Sequence, residues 1–122
     1  METSVKTAIY AILDAALSVT VYNGAPLNAA LPYVDIDEYF DDDNSTKTYI
    51  GETADVRVHI WSKDKDQCAT IRQQIKTALN RVELTVAGYN FVDCQYKSGQ
   101  AITDVDGITR HAWADFEIIA HS

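Results

Sequence analysis

Among the residues of this sequence, the carboxylates have the spacing that is most similar to that of a metal-binding or catalytic site. Asp41, Asp43, Ser45 and Glu52 stand at positions one, three, five and twelve of a calcium-binding loop, where oxygen ligands suit Ca²⁺. Position six, however, is Thr46, where the sharp turn of such a loop requires glycine. The flanking segments also have strand patterns, although a calcium loop of this type lies between helices. A solvated acidic loop is therefore the better interpretation, and no metal site is predicted.

A second carboxylate cluster lies near the C-terminus. Asp104, Asp106 and Gly107 have calcium-loop spacing, but Ile102 and Trp113 occupy positions one and twelve, where ligands are needed. Asp-Gly between two extended segments is typical of a β-hairpin turn. We therefore interpret this cluster as a turn.

A paired-carboxylate hydrolytic site is the third chemical possibility. Asp35 and Asp37 share one face of a strand because side chains alternate with period two, and Glu38 follows them. The sequence supplies neither a partner that would raise a carboxyl pKa nor a leaving-group site. A polar strand face is favoured, and a small metal-dependent hydrolase working through residues 35–43 is the remote alternative.

Nucleophiles, histidines and cysteines add no catalytic arrangement. The sequence has no nucleophile elbow, phosphate-binding glycine loop or zinc-type histidine spacing. Cys68 and Cys94 are expected to be buried thiols, with a single bridge between them as the alternative. We predict no catalytic residue, no cofactor and no metal, and hence not an enzyme.

The length and charge of the chain further limit the classes of protein to which it can belong. The chain has 122 residues, 18 acidic and 10 basic, for a net charge of −8 and a pI of about 4.6. One domain, residues 1–122, is expected at this length. Proteins that bind nucleic acid neutralise its phosphates with basic residues. Because this chain is acidic, specific DNA or RNA binding is disfavoured. No apolar run approaches the roughly 18 residues of a membrane span.

The elements that must position these residues follow from hydrophobic periodicity. In strand 48–61, Val56, Val58 and Ile60 alternate with Arg57 and His59. An acidic run, 41–45, is expected to break the preceding strand. The predicted order is helix 4–17, strand 19–22, strand 32–40, strand 48–61, a helix capped by Ser62 or Asp64 and ending near Asn80, and two paired strands, 89–102 and 108–120. This order favours an α+β fold with a mainly antiparallel sheet and two helices packed on one face.

The second face of this sheet carries large apolar side chains where a solvated face is normally polar. Scattered exposed aromatics, or a cover formed by loop 24–31, would explain them. A protein-protein interface is the sharper hypothesis, because aromatic residues are its usual anchors. The candidate interface residues are Tyr39, Trp61, Phe91, Trp113 and Ile119 on the sheet and Asp41, Asp42 and Asp43 in the acidic loop.

Three segments resemble the tail completion, or tail terminator, proteins of long-tailed bacteriophages. The first is an amphipathic helix followed by Val21-Tyr22-Asn23-Gly24-Ala25-Pro26 and Leu31-Pro32-Tyr33-Val34. The second is Val56-Arg57-Val58-His59-Ile60-Trp61-Ser62 leading into a helix, and the third is the closing stretch 106–118. The similarity covers nearly the whole chain in order and length.

The resemblance implies a structural virion protein, assembled in the bacterial host cytoplasm and located at the head-proximal end of the tail. Such proteins form a ring, typically a hexamer, on the last ring of the tail tube. There they halt tube polymerisation and offer a surface to the neck of the filled head. The implied partners are further copies of the chain, the major tail tube protein and a neck protein. DNA is implied only as passing cargo, and a head-tail joining protein is the alternative.

Overall fold

The computed structural model describes residues 2–43, 51–86, 88–89, 91–103 and 109–121. These residues form two helices and six strands. The helices are α1 (Glu2–Ala16) and α2 (Lys65–Leu79). The strands are β1 (Thr20–Tyr22), β2 (Tyr33–Asp43), β3 (Gly51–Ser62), β4 (Val82–Glu83), β5 (Phe91–Thr103) and β6 (Arg110–His121).

The six strands form one sheet in the order β1-β2-β3-β6-β5-β4. Only the pairing of β1 with β2 is parallel; β2 with β3, β3 with β6, β6 with β5 and β5 with β4 are antiparallel. The pairing of β3 with β6 runs without a shift from Gly51↔His121 to Ser62↔Arg110. These two strands are therefore the regular centre of the sheet.

Both helices pack on the same face of this sheet because each has an apolar stripe. In α1 the stripe is Val5, Ile9 and Leu13, at four-residue steps that bring side chains onto one side of a helix. Helix α2 begins after Asp64, whose carboxylate accepts hydrogen bonds from the backbone N–H groups of Asp66 and Gln67. This capping satisfies donors that have no partner inside the helix. The buried residues of α2 are Cys68, Ile71, Ile75 and Leu79.

The core lies between the helices and the alternate residues of the strands. Val56, Val58 and Ile60 of β3 are fully buried, as are Phe116 and Ile118 of β6. Each such side chain contributes about 1.5–3 kcal/mol when removed from water. Cys68 and Cys94 are both buried free thiols in this core. The predicted α+β fold, with a mainly antiparallel sheet and two helices on one face, is confirmed.

The acidic run is the main difference from the predicted elements. It was expected to break the strand after Phe40, but β2 continues through Asp41, Asp42 and Asp43. These residues pair with Ala54, Thr53 and Glu52 of β3, so backbone hydrogen bonding to a long neighbouring strand outweighs the repulsion between adjacent carboxylates. The remaining residues of the predicted loop, 44–45, lie outside the described residues, as do 48–50 of the predicted strand and the predicted hairpin turn, 104–107.

Candidate assembly surface

The sheet face opposite the helices, here called the open face, is built mainly from alternate residues of β3 and β6. Because residues paired across antiparallel strands lie on the same side of the sheet, the register brings these side chains into rows. All of them are half-buried. They are Thr53, Asp55, Arg57, His59 and Trp61 on β3, and His111, Trp113, Asp115, Glu117 and Ile119 on β6.

Aromatic and imidazole rings occupy one end of the open face. Trp61 and His111, paired across β3 and β6, stack with centroids 3.7 Å apart and an interplanar angle of 6°. Tyr33 of β2 stacks on the other side of Trp61 at 6.3 Å, and Tyr22 of β1 meets Tyr33 edge-on at 5.7 Å. Burial, together with the nearby Asp35 carboxylate and Tyr22, raises the pKa of Tyr33. The rings thus form a continuous row across four strands.

Two histidines connect this row to Trp113. The Nδ1 atom of His59 lies 2.7 Å from the Nε2 atom of His111, and the two rings stack with centroids 5.0 Å apart. One nitrogen must donate and the other accept, so this hydrogen bond requires at least one neutral imidazole. His111 also lies 5.3 Å from the Trp113 ring. The histidines are therefore part of the aromatic surface rather than isolated surface groups.

Charged pairs occupy the adjoining part of the open face. Arg57 donates two hydrogen bonds to Asp115, from Nε to Oδ1 at 2.8 Å and from Nη2 to Oδ2 at 3.1 Å. Its guanidinium also lies 5.0 Å from the centre of the Trp113 ring. The Lys97 ammonium lies 3.2 Å from Asp55. The open face is thus aromatic at one end and ionic next to it, and of these residues the aromatic ones and Arg57 are of the types that are enriched at protein interfaces.

The loop between β1 and β2 is held against the start of β2. The carboxylate of Asp35, only 8% exposed, accepts hydrogen bonds from the backbone N–H groups of Gly24 at 2.8 Å and Ala25 at 3.1 Å. Gly24 has a φ of +94°, a left-handed conformation that glycine adopts without strain. Leu27, further along the loop, is 99% exposed. Its side chain therefore packs on neither face of the sheet.

Three of the candidate interface residues lie on the open face as expected, and Tyr39 does not. Trp61, Trp113 and Ile119 alternate with buried neighbours and are half-buried. The expected position of Tyr39 is wrong: it pairs with Val56 and packs against the core on the helix-covered side. A register shift between Ile36 and Glu38 reverses the alternation of the rest of β2, which simple period-two reasoning does not anticipate.

The remaining candidates are described by their backbone alone. Phe91 begins β5 opposite His121. Asp41, Asp42 and Asp43 end β2 at the edge of the sheet beyond β1, since β1 pairs only with Tyr33–Asp35. The structure therefore separates the acidic run from the ring cluster, which lies at the other end of β2.

A second surface, not expected from the sequence, lies on the helix side at the end of β5. Here a groove with a volume of about 250 Å³, called the basic groove below, separates α2 from the β5–β6 pair. It is lined by Lys65, Cys68, Ala69, Arg72, Ala101, Ile102 and Arg110. Burial raises the pKa of Cys68, and the nearby Arg72 and Arg110 act in the opposite direction. These cations come from elements far apart in sequence, so no local motif signals them.

Sequence reasoning did not name His59, His111, Tyr33 and Arg57 as candidate interface residues, although it placed Arg57 and His59 on the strand face opposite Val58 and Ile60. Their alternation with Val58, Ile60 and Ala112 was a usable signal, because it assigns them to the same face as Trp61 and Trp113. Their contacts with one another depend on the register of β2, β3 and β6, which one sequence does not reveal.

The arrangement has the chemistry of a contact surface. Among the described residues, no three His, Cys, Asp or Glu side chains are grouped so as to hold a metal ion. Burial and the neighbouring Asp93 raise the pKa of Cys94 to about 12, so this thiol is a poor nucleophile at neutral pH. In the described residues, the sheet is thus covered by helices on one side and has aromatic and ion-paired side chains on the other.

The sequence comparison identifies the family. Residues 5–121 match the family described as Tail completion protein gp17, and the chain belongs to this family. The predicted membership in the phage tail completion family is thereby confirmed. The family is one of phage structural tail completion proteins and not of enzymes.

One relative and one solved structure illustrate the similarity. The Tail completion protein gp17 of Bacillus phage SPP1 is 31% identical over 81 residues, which are 66% of this chain and 60% of that protein. The match thus spans less than two thirds of the relative's length. A chain in the structure of the virion of a native gene transfer agent particle has a TM-score of 0.86 with 17% identity. That match covers 99% of this chain and 97% of the other, and it shows a shared fold.

In the part of the chain that the structure describes, neither helix is long and apolar enough to cross a membrane.

Proposed function

We propose that this protein caps the phage tail tube, ends tube polymerisation and offers the surface to which the neck of the head attaches. The observation that carries the proposal is the family match, which extends over residues 5–121. The chain would act as several copies in a ring, typically six in the family that it resembles. Its partners would be the tube protein on one side of the ring and a neck protein on the other.

The physical basis of the proposal is that the open face has large aromatic side chains, whereas a sheet face exposed only to water is normally polar. A ring closes through two different patches on each subunit, and stacking on a tube requires a third. The open face offers Trp61 and Trp113 as half-buried anchors, and aromatic anchors provide much of the free energy at protein interfaces. We assign this face to contact with a virion partner, with Ile119 extending it towards the other end of β6.

The net charge agrees with a channel-forming role. At −8 per copy, a ring would have a strongly negative field, which repels DNA phosphates and favours sliding of the passing genome. DNA is therefore cargo in this proposal and not a ligand.

The experiment is electron microscopy of particles made when the gene is inactivated in the phage or prophage that encodes it. Overlong tubes together with tailless, DNA-filled heads are the expected result, because uncapped tubes continue to polymerise. Complementation with the wild-type gene is the control and should restore normal tube length.

Two other results would contradict the proposal in different ways. Tails of normal length lying free beside filled heads would indicate a head-tail joining protein, which contacts the neck without ending the tube. Intact infectious particles would exclude both functions.

A further inference from the structure

Two strands of the sheet have an edge that is only partly covered. On the outer side of β2, β1 pairs with Tyr33–Asp35 and reaches no further. On the outer side of β5, β4 pairs with Asp93 and Cys94, and the Asn80 side chain accepts a hydrogen bond from the Tyr96 backbone N–H. Among the described residues no strand covers the later part of either edge. Uncovered edges of this kind are templates for strand pairing.

The free segments lie at opposite corners of the sheet. Strands β2 and β5 run in opposite directions, and each is free towards its C-terminal end. When two copies stand side by side in the same orientation, β2 of one copy is therefore antiparallel to β5 of the next. The two edges are thus complementary in direction, and each copy has one of each.

The charges on the two edges are complementary as well. The free part of β2 ends in Asp41, Asp42 and Asp43. The free part of β5 borders the basic groove, since Ala101 and Ile102 line it together with the cations. Neither Lys65 nor Arg72 has an ion-pair partner within the described residues. An acidic strand beside β5 would supply a counter-charge for Lys65 and Arg72.

The offset between the two free segments is compatible with ring closure. By the strand register, Asp42 lies level with Thr53 of β3, and Gln100 lies level with His59. This separation of about six residues corresponds to about 20 Å along the strands, against a sheet width of about 29 Å for six strands. Pairing with this offset tilts the strands by about 35° from the ring axis, at the lower end of the roughly 35–45° of closed β-barrels.

We propose that the end of β2 in one copy, Phe40–Asp43, adds as an antiparallel strand to the free part of β5, Lys97–Thr103, in the next copy. The acidic strand then lies beside the basic groove of that neighbour. The contact is heterologous, so repeated around a ring it closes without leaving a free edge. The inference rests on the proposed function in one respect, that copies of the chain assemble side by side.

The first test is cross-linking in purified particles of the encoding phage. The gene is replaced by a variant with Asp42→Cys and Gln100→Cys, and particles are treated with a short bis-maleimide. A ladder of covalent oligomers is expected, because each chain provides one cysteine to each neighbour. The matched controls are the two single variants, which retain the same buried Cys68 and Cys94 and should give monomers only. A double variant that also gives monomers only would overturn the proposal.

The second test is a charge swap, which does not depend on cross-linking geometry. Arg72→Glu and Asp41→Lys are each expected to lower the titre of infectious particles at least tenfold, because Asp41 pairs with the buried Ala54 and so belongs to the side of the sheet on which the groove lies. The double variant should recover at least tenfold over either single variant, since the opposite charges meet again. Lys63→Glu, an exposed reversal away from the groove, is the control and should leave the titre unchanged. A double variant whose titre is lowered by the product of the two single-variant losses would contradict the pairing.

These outcomes separate the inference from the proposed function. Overlong tubes on gene inactivation, without a cross-linked ladder, would refute the strand pairing and leave the capping role intact. If tails have normal length when the gene is inactivated, and the double-cysteine variant still gives a ladder, capping is refuted and the strand pairing stands.

Discussion

The two faces of the sheet use the same strands for different purposes. On β3, Val56, Val58 and Ile60 are fully buried beneath the helices, while Arg57, His59 and Trp61 alternate with them on the open face. The covered face is stabilised by removing apolar area from water. The open face is instead organised by ring stacking and ion pairs that leave its side chains half-buried. The difference separates residues needed for folding from residues available for assembly, and it can be tested residue by residue.

The largest expected effect is loss of a core ring. Phe116→Ala should lower the free energy of unfolding by about 3–5 kcal/mol, because it removes a fully buried phenyl group and leaves a cavity. Trp113→Ala, three residues away on the open face, should cost only about 1 kcal/mol. Urea denaturation of both variants measures the contrast. Equal losses would mean that the open face belongs to the folding core.

The next effect concerns the buried carboxylate at the start of β2. Asp35→Ala should lower the free energy of unfolding by about 2–3 kcal/mol, since the backbone N–H groups of Gly24 and Ala25 lose a charged acceptor. Asp35→Asn retains one acceptor oxygen and should cost less. Thermal and urea unfolding provide the comparison. An alanine variant as stable as wild type would show that the loop is held by other contacts.

On the covered face, the Cys94 thiol should make stability depend on alkaline pH. Its folded pKa is raised from 9.0 to about 12, so above pH 9.0 the unfolded chain releases a proton that the folded chain keeps. The stability contributed by this thiol is present below pH 9.0 and falls between 9.0 and about 12. The slope is at most about 1.4 kcal/mol per pH unit. Cys94→Ala, followed by urea unfolding over this range, should flatten the profile; identical profiles would contradict the burial of the thiol.

The smallest effects are expected from the ion pairs of the open face. A double-mutant cycle on Arg57 and Asp115 should give a coupling of about 1 kcal/mol, because the contact is bidentate and half-buried. The more exposed Lys97 and Asp55 pair is the matched comparison and should give less than about 0.5 kcal/mol. Equal coupling in the two cycles would show that the bidentate geometry adds nothing.

Much of the covered face could be predicted from the sequence, because its signals are local. The alternation of Val56, Val58 and Ile60 predicts one strand, and a capping residue, Ser62 or Asp64, ahead of an apolar stripe predicts the start of α2, where the structure has Asp64 as the cap. These patterns depend on periods of two and about 3.6 residues, which the chain itself sets. The fold class follows from their order.

The open face could be predicted only in part, because its arrangement depends on pairing. Trp61 and Trp113 were assigned to it correctly, whereas Tyr39 was not, since the shift after Ile36 reverses the alternation of β2. The stacking of Trp61 on His111 requires residues fifty positions apart to share a row of the sheet. The basic groove likewise combines Lys65 and Arg72 of α2 with Arg110 of β6. A single sequence does not encode such register directly.

The most direct test of the central claim is tube length in particles complemented with an open-face variant. Trp61→Ala combined with Trp113→Ala, first shown to fold by urea denaturation, replaces the wild-type gene, and tube lengths are measured by electron microscopy. Tyr10→Ala, which removes an exposed ring from α1, is the control and should give normal tails. The account predicts overlong tubes and unattached filled heads for the double variant. Normal tubes and a wild-type titre would contradict the claim that the open face acts in tail completion.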